Sequence, residues 1–200
     1  MILSDVEICQ LGEAFISPFV PQQVRKLRNK LFSVPDGAVC EDIRAISFGT
    51  SSYGYDARLA NEFKVFTDLR CSIMDPKNPP DDAFVDMTAP EGQPFVIPPG
   101  GYVLGRTVEH FCMPPDVISL CVGKSTYARS GLIVNVTPLE PAWRGYVTLE
   151  FMNALPIPTL VYPNEGICQF LFFRGSPCRT NYDDRGGKYQ DQVGVVLPRS

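Results

Sequence analysis

Residues 145–151 read GYVTLEF, a composition that predicts a β-strand. Tyr, Val, Thr and Phe favour a pleated, half-buried surface. Because side chains alternate between the two faces of a strand, Val147 and Leu149 share one face, whereas Thr148 and Glu150 share the other. Glu150 is the only charge on its face. It therefore either points into water, as most strand glutamates do, or is a carboxylate held in a site.

Short apolar runs of the same kind recur along the chain from about residue 46. They are separated by Pro, Gly, Asn and Asp, and most of the 19 Pro and 16 Gly residues lie between them, as turns require. Many short strands with this spacing predict a mainly β fold, a sandwich or a barrel, rather than alternating βαβ units.

Two segments at the N-terminus carry helix signals, and the C-terminal segment carries none. Ser4-Asp-Val-Glu7 has the form of a capping box, which predicts a short helix. The spacing of the apolar residues in residues 22–32, QQVRKLRNKLF, predicts a second helical piece. The polar tail that starts at Asn181 is either a loose end or a lid that orders over a ligand.

The composition fits one globular domain and excludes several classes of site. With 200 residues, 44% hydrophobic and 20% charged, the chain can build a sizeable core. A net charge of −4 gives no basic footprint for nucleic acid, and no apolar run reaches membrane-spanning length. The opening MILSDVEICQ lacks the features of a signal peptide. We therefore expect a cytoplasmic protein with neither nucleic acid nor a membrane as its partner.

The cysteines and the single histidine narrow the possible chemistry further. Seven scattered cysteines without a C-x-x-C pair predict reduced, mostly buried thiols rather than disulfides or a zinc site. Because His110 is the single histidine, the chain has neither an H-E-x-x-H zinc site nor the pattern of the zinc nucleobase deaminases. We expect His110 to cap a strand or pack at an edge. Proton transfer in an enzyme of this composition must then fall to carboxylates and bound water.

Residues 123–129, GKSTYAR, resemble the end of a phosphate-binding P-loop, but Ile118 replaces the first glycine. A more modest interpretation is a single helical turn, capped by Ser125, whose amides face an anion. Ser125 and Arg129 are four residues apart and share one face of such a turn. With Lys124 and Thr126 they would form an oxyanion cluster. A capped surface turn with an incidental arginine explains the spacing equally well.

The loop before the Glu150 strand carries a second carboxylate. Residues 131–143, GLIVNVTPLEPAW, run from a strand into a loop that offers Glu140. Two carboxylates on a loop and its adjoining strand can share a pocket, and a general base needs a pKa raised by burial or a like charge. Glu150, with its apolar neighbours, is the better candidate.

Several blocks of sequence together closely resemble bacterial dCTP deaminase, the zinc-independent deaminase of the trimeric dUTPase-like superfamily. The resemblance runs from about Ile46 to the C-terminus, and the first 45 residues contribute little. The matching blocks are TSSYGYDARL, EFKVFT, MDPKN, GKSTYAR, GLIVNVTPLEPAWRGYVTLEF, NEGICQFLFF and DDRGGKYQDQ.

The resemblance implies a fold, an assembly and a reaction. The fold would be a distorted β-barrel of the jelly-roll-like β-clip kind with a few short helices. One domain would span residues 1–200, with an N-terminal helical segment (1–45), a barrel core (46–180) and a tail or lid (181–200). The assembly would be a homotrimer with active sites between subunits. The reaction would convert dCTP and water to dUTP and ammonia, with Mg²⁺ carried by the triphosphate, no zinc, and dTTP as a possible feedback inhibitor.

The resemblance also assigns roles to residues. Glu150 would be the catalytic glutamate, and Ser125 and Arg129 would be the most consequential residues of the turn that organises the phosphates and the water. Glu140 would meet the sugar, and three tail residues would close over the phosphates. The implied substrate-binding set is Lys124, Ser125, Thr126, Tyr127, Ala128, Arg129, Glu140, Thr148, Leu149, Glu150, Gln169, Tyr182, Lys188 and Gln192.

Some positions depart from the family pattern. Pro138 and Leu139 stand where one branch has a histidine and a basic residue, and Ala142 and Arg144 replace acidic residues that often flank the tryptophan. Two alternatives to a simple deaminase stay open: a bifunctional deaminase-dUTPase that uses Glu140 and releases dUMP and pyrophosphate, and a non-catalytic nucleotide-binding β module.

Overall fold

The chain folds mainly into short strands, in a computed structural model that describes residues 1–28, 42–69, 71–80 and 82–199. The described helices are α1 (Asp5–Leu11), a 3-10 turn (Gly12–Ala14) and α2 (Ser125–Ala128). The strands are β1 (Ile16–Ser17), β2 (Val24–Arg28), β3 (Asp42–Ser51), β4 (Gly54–Arg58), β5 (Glu62–Phe66), β6 (Phe84–Thr88), β7 (Phe95–Ile97), β8 (Tyr102–Cys112), β9 (Val117–Gly123), β10 (Leu132–Asn135), β11 (Arg144–Asn153), β12 (Thr159–Val161) and β13 (Gly166–Arg174).

The strands form three antiparallel sheets. Sheet I has the order β10-β11-β8-β5-β6, and β1 also pairs with β8. Sheet II has the order β2-β3-β4-β13-β9, and β7 pairs with β12 in a small third sheet. The prediction of a mainly β fold is confirmed. The prediction of a barrel is wrong, because the described strands form no closed barrel. β8 pairs with β5 near Leu104 and with β1 near Phe111. The neighbour of β8 on this side therefore changes along its length, and the described strands of sheet I do not close into a barrel.

The core lies where the inner faces of sheets I and II meet. Phe111 on β8 packs against Phe170 on β13, with ring centroids 4.7 Å apart. Phe15 packs edge-on against Phe172 of β13 at the same centroid separation. All four rings are buried, and aromatic side chains of this size contribute much of the apolar area that a core removes from water.

The N-terminal segment is only partly helical. The predicted capping box is present at α1, since the Ser4 hydroxyl accepts from the Glu7 N–H and the Glu7 carboxylate accepts from the Ser4 N–H. The second predicted helix is wrong over Val24–Arg28, which is β2 and pairs with β3. Residues 29–32 of that prediction lie outside the described residues. Tertiary pairing with β3 overrides a local spacing that a helix would also satisfy.

Candidate active site

β11 presents Glu150 to an open cavity, as its alternation predicts. Val147 and Leu149 are buried in the core, whereas Thr148 and Glu150 are half-buried on the opposite face. Both of these polar residues line a cavity of about 880 Å³. In the strand register, Glu150 lies between Leu104 on β8 and Asn135 on β10. The strand that carries Glu150 is therefore paired with a neighbouring strand on each side at this position.

The environment of Glu150 disfavours its charged form. Burial raises the pKa of this carboxyl to about 7, because the site provides less solvation than water does. The Oε2 atom is buried and has no hydrogen-bond partner among the described residues. A carboxyl with this pKa can both accept and donate a proton near neutral pH, which is what a general acid–base group needs.

The cavity has an apolar side that sequence reasoning missed. Leu104 faces Glu150 directly in the register, and Tyr102 lies one diagonal step away opposite Met152. Burial and the charge of Glu150 both raise the pKa of the Tyr102 hydroxyl. No local pattern marks these β8 residues, because their nearness to Glu150 depends on strand register. Other large apolar residues that line the cavity include Phe66, Met74, Phe84 and Ile118.

The C-terminal tail packs along β11 and closes one side of the cavity. Gln192 forms a parallel bridge with Gly145, and its carbonyl accepts from the Tyr146 N–H at 3.2 Å. The Val196 N–H donates to the Thr148 hydroxyl at 3.2 Å. Tyr182, Gln192 and Val196 line the cavity. The tail is thus packed beside the cavity, and its role as a lid over a ligand stays a prediction.

Ion pairs attach the loop before β11 to the tail. Glu140, which also lines the cavity, pairs with Arg185. Arg144 pairs with Asp191 and with Asp183. Arg144, which departs from the acidic family pattern, thus pairs with two tail carboxylates. The attachment depends on charges that are each substantially exposed, so it is weak and salt-sensitive.

Lys188 holds the far end of the tail instead of lining the cavity. Its ammonium donates to the Arg199 carbonyl at 2.6 Å, and the Arg199 guanidinium donates to the Lys188 carbonyl at 2.9 Å. The Lys188 side chain is exposed. A phosphate contact by this residue stays a prediction.

The predicted oxyanion turn is a one-turn helix, but its cap differs from the prediction. The N-cap position is Lys124, and no side chain makes a capping hydrogen bond, so Ser125 is the first helical residue. Tyr127 is buried, and its hydroxyl accepts from the Tyr162 N–H at 3.1 Å, which fixes the turn on the protein surface. Ser125, Thr126, Ala128 and Arg129 are exposed.

Lys124 is not free to join an oxyanion cluster as predicted. Its ammonium lies 2.6 Å from the Asp56 carboxylate, with both side chains largely buried. Asp56 also accepts from the Gln23 amide at 2.8 Å. This ion pair fixes the start of α2 to sheet II. Asp56 is 68 residues from Lys124 in sequence, so spacing alone could not reveal it. Arg129 pairs with no carboxylate among the described residues.

The substrate-binding residues implied by the resemblance fall into two groups. Those that line the cavity are Glu140, Thr148, Glu150, Tyr182 and Gln192. The residues of 124–129 do not line it, and neither does Gln169, whose amide donates to Ser51 in sheet II at 2.9 Å. Leu149 faces the core, so only its backbone is available to a ligand. Within one chain, Glu150 lines the cavity, whereas Ser125 and Arg129 do not.

Other predictions concern metal ligands and thiols. Within the described ranges, no group of three or more His, Cys, Asp or Glu residues could hold a metal ion. The helices of those ranges include none long and apolar enough to cross a membrane. The described cysteines are free, but the prediction that they are mostly buried is wrong, because only Cys168 among them is buried. His110 packs edge-on against Tyr146, with ring centroids 5.2 Å apart.

Comparison with known proteins agrees with these features. The family model described as dCTP deaminase-like matches residues 2–175. The chain belongs to this family. It is 52% identical over 186 residues to a dCTP deaminase of Laribacter hongkongensis, covering 92% of this chain and 90% of that protein. It is 51% identical to a dCTP deaminase of Paraburkholderia xenovorans, covering 100% and 99% of the two chains. The predicted dCTP deaminase resemblance is therefore confirmed.

A solved dCTP deaminase-family structure shares the fold. The 2'-deoxycytidine 5'-triphosphate deaminase of Agrobacterium tumefaciens superposes with a TM-score of 0.55 at 17% identity. The match covers 87% of this chain and 48% of that chain, so this chain spans about half of the Agrobacterium protein. At this identity the likeness concerns the arrangement of strands, and the dCTP deaminase-like assignment rests on the sequence relatives.

Proposed function

We propose that this enzyme hydrolyses dCTP to dUTP and ammonia, with Glu150 as the general base. The observation that carries the proposal is the buried, unpaired carboxylate oxygen of Glu150 in a cavity of about 880 Å³. Family membership and relatives of about half identity over the whole chain support the substrate and the reaction.

The proton steps follow from the pKa of Glu150. The Glu150 carboxylate takes one proton from a water molecule as the water oxygen attacks C4 of cytosine, and it delivers that proton to the ring nitrogen N3 as C4 becomes tetrahedral. It then takes the proton of the new C4 hydroxyl and passes it to the amine, so that the C4–N bond breaks, ammonia leaves and C4 becomes the carbonyl of uracil. A pKa of about 7 suits both parts of this cycle, because the group must give back the proton that it takes.

A second copy of the chain supplies the rest of the site in this proposal. Ser125 and Arg129 are exposed, and they do not line the cavity of their own chain. In a homotrimer, each cavity would receive these residues from a neighbour, which is possible because rotational assembly joins two different surfaces. The exposed Arg129 guanidinium is then available to the substrate, whose triphosphate also carries Mg²⁺.

Release of dUMP is the second candidate outcome, because Glu140 lines the same cavity as Glu150. Its carboxylate would position water at the α-phosphate. In this chain the Glu140 carboxylate pairs with Arg185 of the tail, and the sequence relatives are named dCTP deaminase. Deamination alone is therefore the proposed activity.

Product analysis tests the proposal. Purified protein is incubated with dCTP and Mg²⁺, ammonia is assayed, and the nucleotides are separated by ion-exchange chromatography. We expect ammonia and dUTP in equal amounts, without dUMP. Ammonia accompanied by dUMP and pyrophosphate would establish the bifunctional enzyme and assign Glu140 to the second step. Bound but unchanged dCTP would contradict the catalytic proposal and leave a nucleotide-binding module.

A further inference from the structure

The pairing of β11 with β8 contains an irregularity close to Glu150. Tyr146 pairs with His110, and the next pair along the strands is Thr148 with Arg106. One residue, Val147, separates these pairs on β11, whereas three residues (107–109) separate them on β8. The register therefore shifts by two residues. An even shift keeps every side chain on its own face, so Glu150 still points to the cavity.

The Thr107 hydroxyl closes this bulge from inside the protein. The Thr107 side chain is fully buried. Its Oγ1 atom accepts from the Val147 N–H at 3.0 Å and donates to the Glu109 carbonyl at 2.6 Å. Residues in a bulge lack regular ladder partners, and a buried backbone N–H without a partner is costly. One hydroxyl therefore satisfies a backbone group on each strand.

The bulge joins two parts of β11 that serve the cavity differently. Before the bulge, Gly145 and Tyr146 bind Gln192 of the tail. After the bulge, the Thr148 hydroxyl accepts from the Val196 N–H, and Glu150 is aligned with Leu104. The bulge therefore lies between the Gln192 contacts and Glu150, and it sets the register and twist of β11 against β8 at the point where Glu150 meets the cavity. Bulges beside active sites commonly re-aim a side chain in this way.

We infer that Thr107 is a positioning residue, whose hydroxyl holds the bulge that aims Glu150 into the cavity beside the tail. The inference rests on the proposed role of Glu150 as the general base. Thr107 lies behind the strand and acts only through the β11 backbone. It is 43 residues from Glu150 in sequence, and neither its residue type nor its spacing marks it.

The test compares two substitutions of different chemistry at one position. Thr107→Val keeps the shape of the side chain but removes the hydroxyl, whereas Thr107→Ser keeps the hydroxyl. We expect Thr107→Val to lower kcat by about 10–100-fold, the scale expected for a misplaced catalytic group, with a smaller change in KM. Thr107→Ser should keep at least roughly half of the wild-type kcat, because the hydroxyl restores both hydrogen bonds.

Thr159→Val is the matched control for the loss of a buried threonine hydroxyl. Thr159 is buried on β12, and its hydroxyl donates to Asn153 at 3.0 Å. All variants are assayed well below their melting temperatures, and the pH midpoint of kcat/KM is measured for each. We expect this midpoint to move in Thr107→Val and to stay at the wild-type value in Thr159→Val. A purely structural role for Thr107 would lower Tm and leave both kcat and the midpoint unchanged.

Two further variants keep the test decisive. If Thr107→Val does not fold, Thr107→Cys replaces it, since a thiol is a weaker donor and acceptor than a hydroxyl. A Thr107→Cys enzyme as active as Thr107→Ser would overturn the inference. Glu150→Gln is assayed in parallel. If it is inactive while Thr107→Val is normal, only the role of Thr107 is refuted. If Glu150→Gln turns over normally, the general-base proposal fails, and the inference fails with it.

Discussion

Glu150→Gln is expected to lower kcat for dCTP deamination by about 10²–10⁴-fold, the range typical for removal of a general base. Glutamine has nearly the same shape as glutamate, but its amide cannot take a proton from water. Binding should persist, since the cavity and the tail contacts do not depend on the charge of this side chain. Steady-state kinetics and equilibrium binding of dCTP measure the two effects separately.

Glu91→Gln is the matched control for this substitution, because Glu91 is exposed and lies outside the cavity. It should have wild-type kinetics. Near-normal turnover by Glu150→Gln would show that another group is the base. Glu140, the other carboxylate of the cavity, would then be the next candidate.

Mixed oligomers of two inactive variants are expected to regain activity. Arg129→Ala should be inactive by itself, because it removes a cation that the substrate needs, and Glu150→Gln should be inactive for the reason given above. In a trimer with sites between chains, a site is intact when one chain supplies Glu150 and its neighbour supplies Arg129. Random mixing in equal amounts should restore roughly a quarter of the wild-type activity.

The control for this experiment mixes Arg129→Ala with Ser125→Ala. Both changes lie in the same exposed turn, so every site would contain one defective turn and no activity should return. Differently tagged chains, purified through both tags, show that mixed oligomers have formed. If such mixed oligomers of Arg129→Ala and Glu150→Gln stay inactive, the two residues do not come from different chains.

Local patterns predicted the elements in which a short stretch of chain decides its own conformation. The alternation along β11 fixes which face carries Glu150, because a strand has a period of two residues. The capping box at Ser4 closes on itself within one helical turn. Val24–Arg28 shows the limit, since its apolar spacing suits a helix but its pairing with β3 decides the outcome.

The candidate site was predictable to the extent that its residues are marked by type and strand position. Glu150 is a lone charge on its face, and burial explains its raised pKa. The positions of Leu104 and Thr107 follow from the register of β8 against β11, which no local pattern reveals. The pairing of Lys124 with Asp56 likewise depends on contacts between distant segments.

The pH dependence of kcat/KM for dCTP tests the role of Glu150 most directly. Below its pKa, Glu150 is protonated and cannot activate water, so kcat/KM should rise with pH through a midpoint of about 7 and reach its plateau at higher pH. Because a terminal phosphate titrates near pH 6, the measurement uses saturating Mg²⁺ and includes Glu150→Asp. We expect the midpoint near 7 in the wild type and a displaced midpoint in Glu150→Asp, since only the carboxyl has changed. A midpoint near the ordinary carboxyl value of 4.5, or one that is identical in both enzymes, would contradict a burial-tuned Glu150 as the base.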